Sequence, residues 1–309
     1  MQTRHIGSLE VSVVGLGCNN FGVRSSVAES EAVVGAALDA GITFFDTADI
    51  YGAARSEGIL GAALGKARDS VVVATKFRHP YEGHAGGAHP AAIRTAVEAS
   101  LRKLDTDYID LYQLHSPDDD VPIADTLGAL HELVVAGQVR EIGCSNFSVA
   151  QLREAEAAAA AAGGTRFVSV QNEYSLLERG DEADVLPECA RTNTAYLPFF
   201  PLAKGLLTGK YQVGQPPPVG TRLATFAPEV TADLLRPENM TTVDELSKLA
   251  ASAGHSVLEL AIAWLLTRAP VASVISGASR PEQVWANVAA GEWVVPPEVL
   301  DAVDVISPA

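Results

Sequence analysis

Basic residues are scarce in this chain. Its 309 residues include 22 Lys and Arg against 38 Asp and Glu, a formal net charge of −16. A surface this acidic repels nucleic acid and anionic membrane, which argues against partners of either kind. An anionic ligand would need a local basic pocket working against that field. Cysteine is equally sparse: Cys18, Cys144 and Cys189 are the whole set, with no C-x-x-C pair. An odd, scattered count fits a reducing compartment and no disulfide framework. The opening stretch MQTRHIGSLEVSVV has no long apolar run of the signal-peptide kind. The apolar segment VLELAIAWLL is too short to span a bilayer. A cytoplasmic protein is therefore expected. No G-x-G-x-x-G follows the first apolar run, since GLGCNNFG has the wrong spacing.

What is present is a repeat of apolar, β-branched runs followed by alanine-rich amphipathic segments. Strands are expected at 12–18, 42–47, 70–76, 107–115, 139–146, 166–172, 194–200 and 271–276. The helices that follow are expected near 27–40, 55–65, 89–104, 123–136, 148–162 and 182–192, then 241–253 with 256–268, and 281–289. Continuous apolar runs are the pattern of parallel strands buried on both faces. Eight strand-then-helix units in a chain of this length indicate an α/β fold, a (β/α)8 TIM barrel in one domain over residues 1–309. RHIGSLEVSV (4–13) alternates around a Gly-Ser turn and reads as a short hairpin before the barrel. YQVGQPPPVGTRLATFAPEV (211–230) reads as a Pro/Gly-rich lid or binding loop.

In such a barrel the chemistry gathers where the strands end. The residues there are polar: Cys18 and Asn19, Asp46, Lys76, His115, Ser145 and Asn146, Gln171 and Asn172, and Ser276. Phe199 and Phe200 are the apolar exception, and Tyr51 lies just beyond the second strand. Asp46, Lys76 and His115 end adjacent strands and can converge with Tyr51. A tyrosine titrates near ~10, so it needs a nearby ammonium to lower that value. Lys76 can play that part, with Asp46 as its counter-ion. His115 can donate a hydrogen bond to a substrate oxygen. This quartet polarises a carbonyl and protonates an alkoxide. It contains no evident nucleophile and no metal-ligand spacing, so a cofactor hydride is the fitting attacker.

The same residues fall in motifs of a known family. GLGCNNFG, FFDTADIYG, VVVATKF, YIDLYQLHSPD, IGCSNFS, VQNEYSLLER, PLAKGLLTGKY and VISGASRPEQVWANV occur in that order along the chain. In these eight motifs the chain resembles the aldo-keto reductases over essentially its full length. The closest likeness is to the branch with long PLAxGLLTGKY loops, which includes bacterial reductases and potassium-channel β subunits. The resemblance implies NADP(H) bound across the C-terminal face without a Rossmann domain. It implies Tyr51 as acid/base with Asp46, Lys76 and His115. It places Ser145, Asn146 and Gln171 on the nicotinamide carboxamide and Phe200 under the nicotinamide ring. Gly17, Cys18, Asn19 and Asp46 belong to the same cofactor set. Leu202, Gly205, Leu207 and Lys210 match the pyrophosphate-side loop. Arg222, Gly277, Ser279, Arg280, Gln283 and Asn287 match the adenosine end. Lys210, Arg222 and Arg280 would then be the local cations the acidic surface calls for.

The implied partner is a small-molecule carbonyl substrate in a pocket built from loops 19–25, 77–89 and 211–240. Oligomerisation is compatible with this reading, and no oligomeric state follows from it. An NADP(H)-binding regulatory subunit with little turnover is the alternative from another class. A Schiff-base aldolase on Lys76 is a third, which Asp46 and Tyr51 fit less well. His79, His84 and His89 are five residues apart, separated by glycines and on no regular face, so a mobile loop is expected there and no metal site. PDDD (117–120) reads as a solvated run before a helix, and Trp264, Trp285 and Trp293 read as packing residues.

Overall fold

The computed structural model describes residues 1–212 and 214–309. Strands β1 (Thr3–Ile6) and β2 (Leu9–Ser12) form an antiparallel hairpin, with Thr3 opposite Ser12 and Ile6 opposite Leu9. Eight strands follow: β3 (Val14–Gly17), β4 (Phe44–Asp46), β5 (Val72–Phe77), β6 (Ile109–Leu114), β7 (Val139–Ser145), β8 (Ser169–Glu173), β9 (Ala195–Phe199) and β10 (Val274–Gly277). All seven neighbouring pairs are parallel, in the order β10-β3-β4-β5-β6-β7-β8-β9. The ring closes through Tyr196, whose N–H donates to Pro270 O (2.7 Å) and whose carbonyl accepts from Ala272 N–H (3.0 Å). This is a (β/α)8 barrel capped by an N-terminal hairpin.

The helices are α1 (Val27–Asp39), a single turn α2 (Tyr51–Ala54), α3 (Ser56–Leu64), α4 (Pro90–Leu104), α5 (Ile123–Val135) and α6 (Val149–Ala162). Then come α7 (Val185–Thr192), α8 (Pro228–Leu234), α9 (Pro237–Ser252), α10 (Val257–Leu266), α11 (Pro281–Ala290) and α12 (Pro297–Ile306). Starts are set by local chemistry. Ser26, Ser148 and Ser256 each close a capping box with Glu29, Gln151 and Glu259. The alanine run of α6 stops at Gly163, which is left-handed at φ 61°. Among the described residues, no single helix is long and apolar enough to cross a membrane.

Side chains alternate across each strand, so every second residue points into the barrel. Phe44, Ala74, Leu111, Leu197 and Ile275 share one buried cluster with Ile6, Leu9 and Val11 of the hairpin. The hairpin thus plugs the N-terminal end of the barrel with apolar surface. One step further along the same inward rows stand Asp46, Lys76, Gln113, Ser145 and Gln171. The register pairs Lys76 with Gln113 and Ser145 with Gln171. The interior is apolar at the plugged end and polar at the open end.

Three expectations are revised. The segment 211–240 is not loop throughout: α8 occupies Pro228–Leu234 and α9 starts at Pro237, and Val213 of the expected lid lies outside the described residues. Each of these helices carries proline in its first turn, where a missing N–H costs nothing. Trp264 is fully buried and Trp293 stacks on His255 (3.9 Å between centroids), but Trp285 is half exposed, so it is not a core residue. Asp118 is not merely solvated, because its Oδ2 accepts Ala88 N–H at 2.9 Å and ties two loops together.

Candidate active site

At the open end, Lys76 is fully buried and its Nζ donates to Asp46 Oδ2 (2.6 Å) and to the Thr47 carbonyl (2.8 Å). The Tyr51 hydroxyl lies 3.5 Å from the same nitrogen. Asp46 Oδ1 accepts from Gln113 Nε2 (3.2 Å) and Gln171 Nε2 (3.0 Å), so both carboxylate oxygens are engaged. Tyr51 leaves the strand on a turn that only glycine completes. Gly52 has φ 65°, and a Cβ there would stand 2.1 Å from Phe21 O. That close approach presses the loop after β4 against the loop after β3 and fixes the direction of the phenol.

The electrostatics follow from burial against pairing. Burial pulls the Lys76 pKa down, but Asp46 and then Tyr51 reverse this, leaving it above the ordinary lysine value. Tyr51 departs from expectation. Burial raises its pKa, Lys76 lowers it and Asp46 raises it again, with a net rise. The ammonium does act on the phenol as expected, yet desolvation outweighs it, so the phenol is held protonated. His115 packs edge-on to Tyr51, with ring centroids 5.8 Å apart. Burial, then the Lys76 ammonium and the neighbouring His79 and Arg78, hold its pKa down to about 2, and among the described residues its buried Nδ1 has no partner. It is therefore a neutral imidazole at physiological pH.

Ser145 and Asn146 stand beside His115: Asn146 Nδ2 donates to the His115 carbonyl (2.9 Å) and to Ser145 Oγ (3.0 Å). Ser145 Oγ donates to the Gln171 carbonyl (2.7 Å). Phe200 follows at the end of β9 with φ 51°, its ring facing Lys204 Nζ at 4.7 Å and the Arg222 guanidinium at 4.8 Å. Leu223 is buried in the core, with its N–H directed at Tyr211 Oη (3.5 Å), and this anchor brings its neighbour Arg222 back over Phe200. Leu202 is half-buried and Leu207 is buried, while Gly205 (φ 105°) lies against Lys210 Nζ.

On the other side of the mouth, Gly277 pairs with Gly17, and a Cβ on Gly277 would reach Asn19 Oδ1 at 3.6 Å. Ser279 N–H donates to Gln283 Oε1 (2.8 Å), Arg280 is exposed at the start of α11, and Asn287 is buried. The Cys18 thiol is fully buried, directed at the Leu16 carbonyl (3.7 Å), and raised in pKa by burial.

The three histidines of 78–89 go to different places. His79 packs on His115 (4.8 Å), His84 stacks on Tyr81 (4.5 Å) and His89 precedes α4. Gln113 was missed from the sequence. Its signal is its inward position on β6, two residues before His115.

The sequence profile of the Aldo/keto reductase family matches residues 13–308. Aldo-keto reductase YhdN of Bacillus subtilis is 37% identical over 294 residues, covering 89% of this chain and 84% of that protein. An uncharacterized oxidoreductase of Mycobacterium tuberculosis, Rv2298, is 35% identical over 294 residues, covering 92% and 85%. A probable voltage-gated potassium channel subunit beta of Oryza sativa is 32% identical over 317 residues, covering 99% and 96%. With a barrel whose open end carries Asp46, Tyr51, Lys76 and His115 in one cluster, the chain belongs to the aldo-keto reductase family of oxidoreductases.

Proposed function

We propose that this oxidoreductase reduces an aldehyde or ketone to the alcohol with NADPH, and that Tyr51 is the acid. The observation that carries the reading is the buried Lys76 ammonium, held 2.6 Å from Asp46 and 3.5 Å from the Tyr51 hydroxyl. The residues fit a dinucleotide. Asn19 Oδ1, Ser276 Oγ and Arg222 Nε are buried polar atoms without partners, and such atoms call for a ligand. Burial and the nearby Arg24 hold the Arg222 pKa down to about 10, so an anion is its natural complement. Arg280 stands exposed directly before Pro281, the first residue of α11, where its guanidinium can meet a phosphate.

Asn19, Ser145, Asn146, Gln171 and Phe200 would hold the nicotinamide end. Leu202, Gly205, Leu207 and Lys210 would hold the pyrophosphate, Arg222, Gly277, Ser279, Arg280, Gln283 and Asn287 the adenosine end, with Gly17, Cys18 and Asp46 in the same cofactor set. When bound, the reduced cofactor supplies the hydride. The chain's own work is to place the substrate oxygen between Tyr51 Oη and neutral His115, which donates a hydrogen bond there. Tyr51 then passes its proton to that oxygen, and Lys76 stabilises the phenolate left behind. Asp46 keeps Lys76 charged and in place.

The likeness to proteins named as channel subunits supports a second reading, a cofactor-binding subunit with little turnover. A catalytic cluster already assembled favours the first. Loss of NADPH absorbance against a panel of aldehydes, ketones and sugars tests it. Turnover of any panel member that Tyr51→Phe abolishes supports the reductase, and no turnover of any supports the subunit.

A further inference from the structure

Of the histidines in 78–89, one stands inside the catalytic cluster. The His79 ring lies 4.8 Å from that of His115 at 68°, and His115 lies 5.8 Å from Tyr51 at 80°. The three rings form an edge-to-face row that leads outward from the acid to the mouth. The loop holds His79 firmly. Arg78 has φ 116°, a conformation that side chains rarely adopt, and its carbonyl accepts Gly87 N–H at 2.7 Å. Gly86 lies so close that a Cβ would stand 2.3 Å from Arg78 O and 2.9 Å from His79 C. Gly86 therefore lets this loop press onto the His79 backbone. Asp118 completes the fixing, with Ala88 N–H at 2.9 Å and Arg78 Nε at 3.9 Å.

The His79 ring has unused hydrogen-bonding capacity. Its Nε2 lies 3.4 Å from Ser116 Oγ, at the long limit of a hydrogen bond. Burial and the neighbouring Arg78 charge hold its pKa below the ordinary histidine value, so it is neutral, with one nitrogen donating and the other accepting. His79, His115 and Ser116 are all partly exposed, so a small molecule seated on His115 reaches the other two. A carbonyl oxygen between Tyr51 and His115 places a substituent on the neighbouring carbon one hydrogen-bond length further along the row.

We propose that His79, backed by Ser116, is a specificity-determining residue that hydrogen-bonds a hydroxyl on the carbon next to the carbonyl, so that the site favours α-hydroxy ketones and aldehydes over plain alkyl carbonyls. The inference rests on the reductase reading. A site that hydrogen-bonds a substrate hydroxyl penalises the analogue lacking it, because its own polar groups are then left unpaired. An alkyl group against His79 and Ser116 has that cost.

The test compares kcat/KM for hydroxyacetone and 2-butanone with NADPH, in the parent protein and in His79→Phe, which keeps the ring packing and removes both nitrogens. Intrinsic carbonyl reactivity cancels in the ratio between proteins. The preference for hydroxyacetone should collapse by about tenfold or more in the variant. A preference that stays the same overturns the proposal, whether both activities fall together or neither changes. A second measurement does not need turnover. In protein carrying 15N-labelled histidine, hydroxyacetone should shift the His79 ring nitrogens by NMR and 2-butanone should not. Equal shifts, or none, overturn the proposal. If the shifts differ while neither ketone consumes NADPH, the reductase reading fails and the hydroxyl site stands.

Discussion

Lys76 and Asp46 form an ion pair that water does not reach: Nζ and Oδ2 are 2.6 Å apart, with the lysine fully buried and the aspartate 4% exposed. Such a pair is weak evidence for stability as a whole, but removing one partner strands a buried charge. Asp46→Asn should destabilise the fold by about 3–5 kcal/mol in urea unfolding, and the double variant Asp46→Asn/Lys76→Met should recover part of that loss. Equal stability of the two variants would show that no charge was stranded.

Asp49 is two residues from Tyr51, and its backbone N–H donates to the Lys76 carbonyl at 3.2 Å. Its side chain is 2% exposed, and among the described residues its Oδ1 has no partner. Burial, and next the nearby Glu57, raise its pKa from 3.8 to about 7. Between these values the folded chain binds a proton that the unfolded chain does not, so stability falls as pH rises through that window. Asp49→Asn should therefore raise the melting temperature at pH 8 and change it little at pH 4, the difference being on the order of a few kcal/mol. Thermal unfolding at the two pH values checks this. A variant equally stabilised at both would place the effect elsewhere.

Much of the fold was legible because most strands carry an apolar, β-branched run, and the eight runs appear in barrel order. The strand ends were less legible. Ile42 and Val71 are as buried as the residues after them but lie outside the β4 and β5 ladders, so hydrophobicity runs past the hydrogen bonding. The cluster of Asp46, Lys76 and His115 beside Tyr51 was legible as charges at the ends of apolar runs. Gln113 was not, because Tyr112 and Leu114 beside it are buried on the opposite face and erase any alternation. The direction of Arg222 depends on the burial of Leu223, and the net rise in the Tyr51 pKa depends on desolvation. Neither quantity has a local signature in a sequence.

The pH profile of carbonyl reduction should show no His115 ionisation. With its pKa held down to about 2, His115 stays neutral from pH 5 to 8, where an ordinary histidine would titrate near ~6.5. Tyr51, raised above its ordinary value, stays protonated across the same range, so reduction should fall only at strongly alkaline pH. A pH series of kcat/KM with a non-ionising substrate measures this. An inflection near neutrality that disappears in His115→Gln would contradict the neutral imidazole.

Arg280 is exposed immediately before α11, where a phosphate on the cofactor ribose would meet its guanidinium. NADPH should bind more tightly than NADH. Arg280→Ala should weaken NADPH by about 1–3 kcal/mol and leave NADH nearly unchanged. Fluorescence titration of both cofactors decides it, and equal affinities in the parent protein would refute the assignment.

The central claim is that the Tyr51 hydroxyl, 3.5 Å from Lys76 Nζ, is the proton donor. Tyr51→Phe keeps the ring against His115 and removes only that hydroxyl. Stopped-flow measurement of hydride transfer from NADPH to a reactive aldehyde tests it most directly. The account predicts a rate lower by ~10²-fold or more with NADPH affinity nearly unchanged. Transfer at the parent rate would mean that Tyr51 is not the acid.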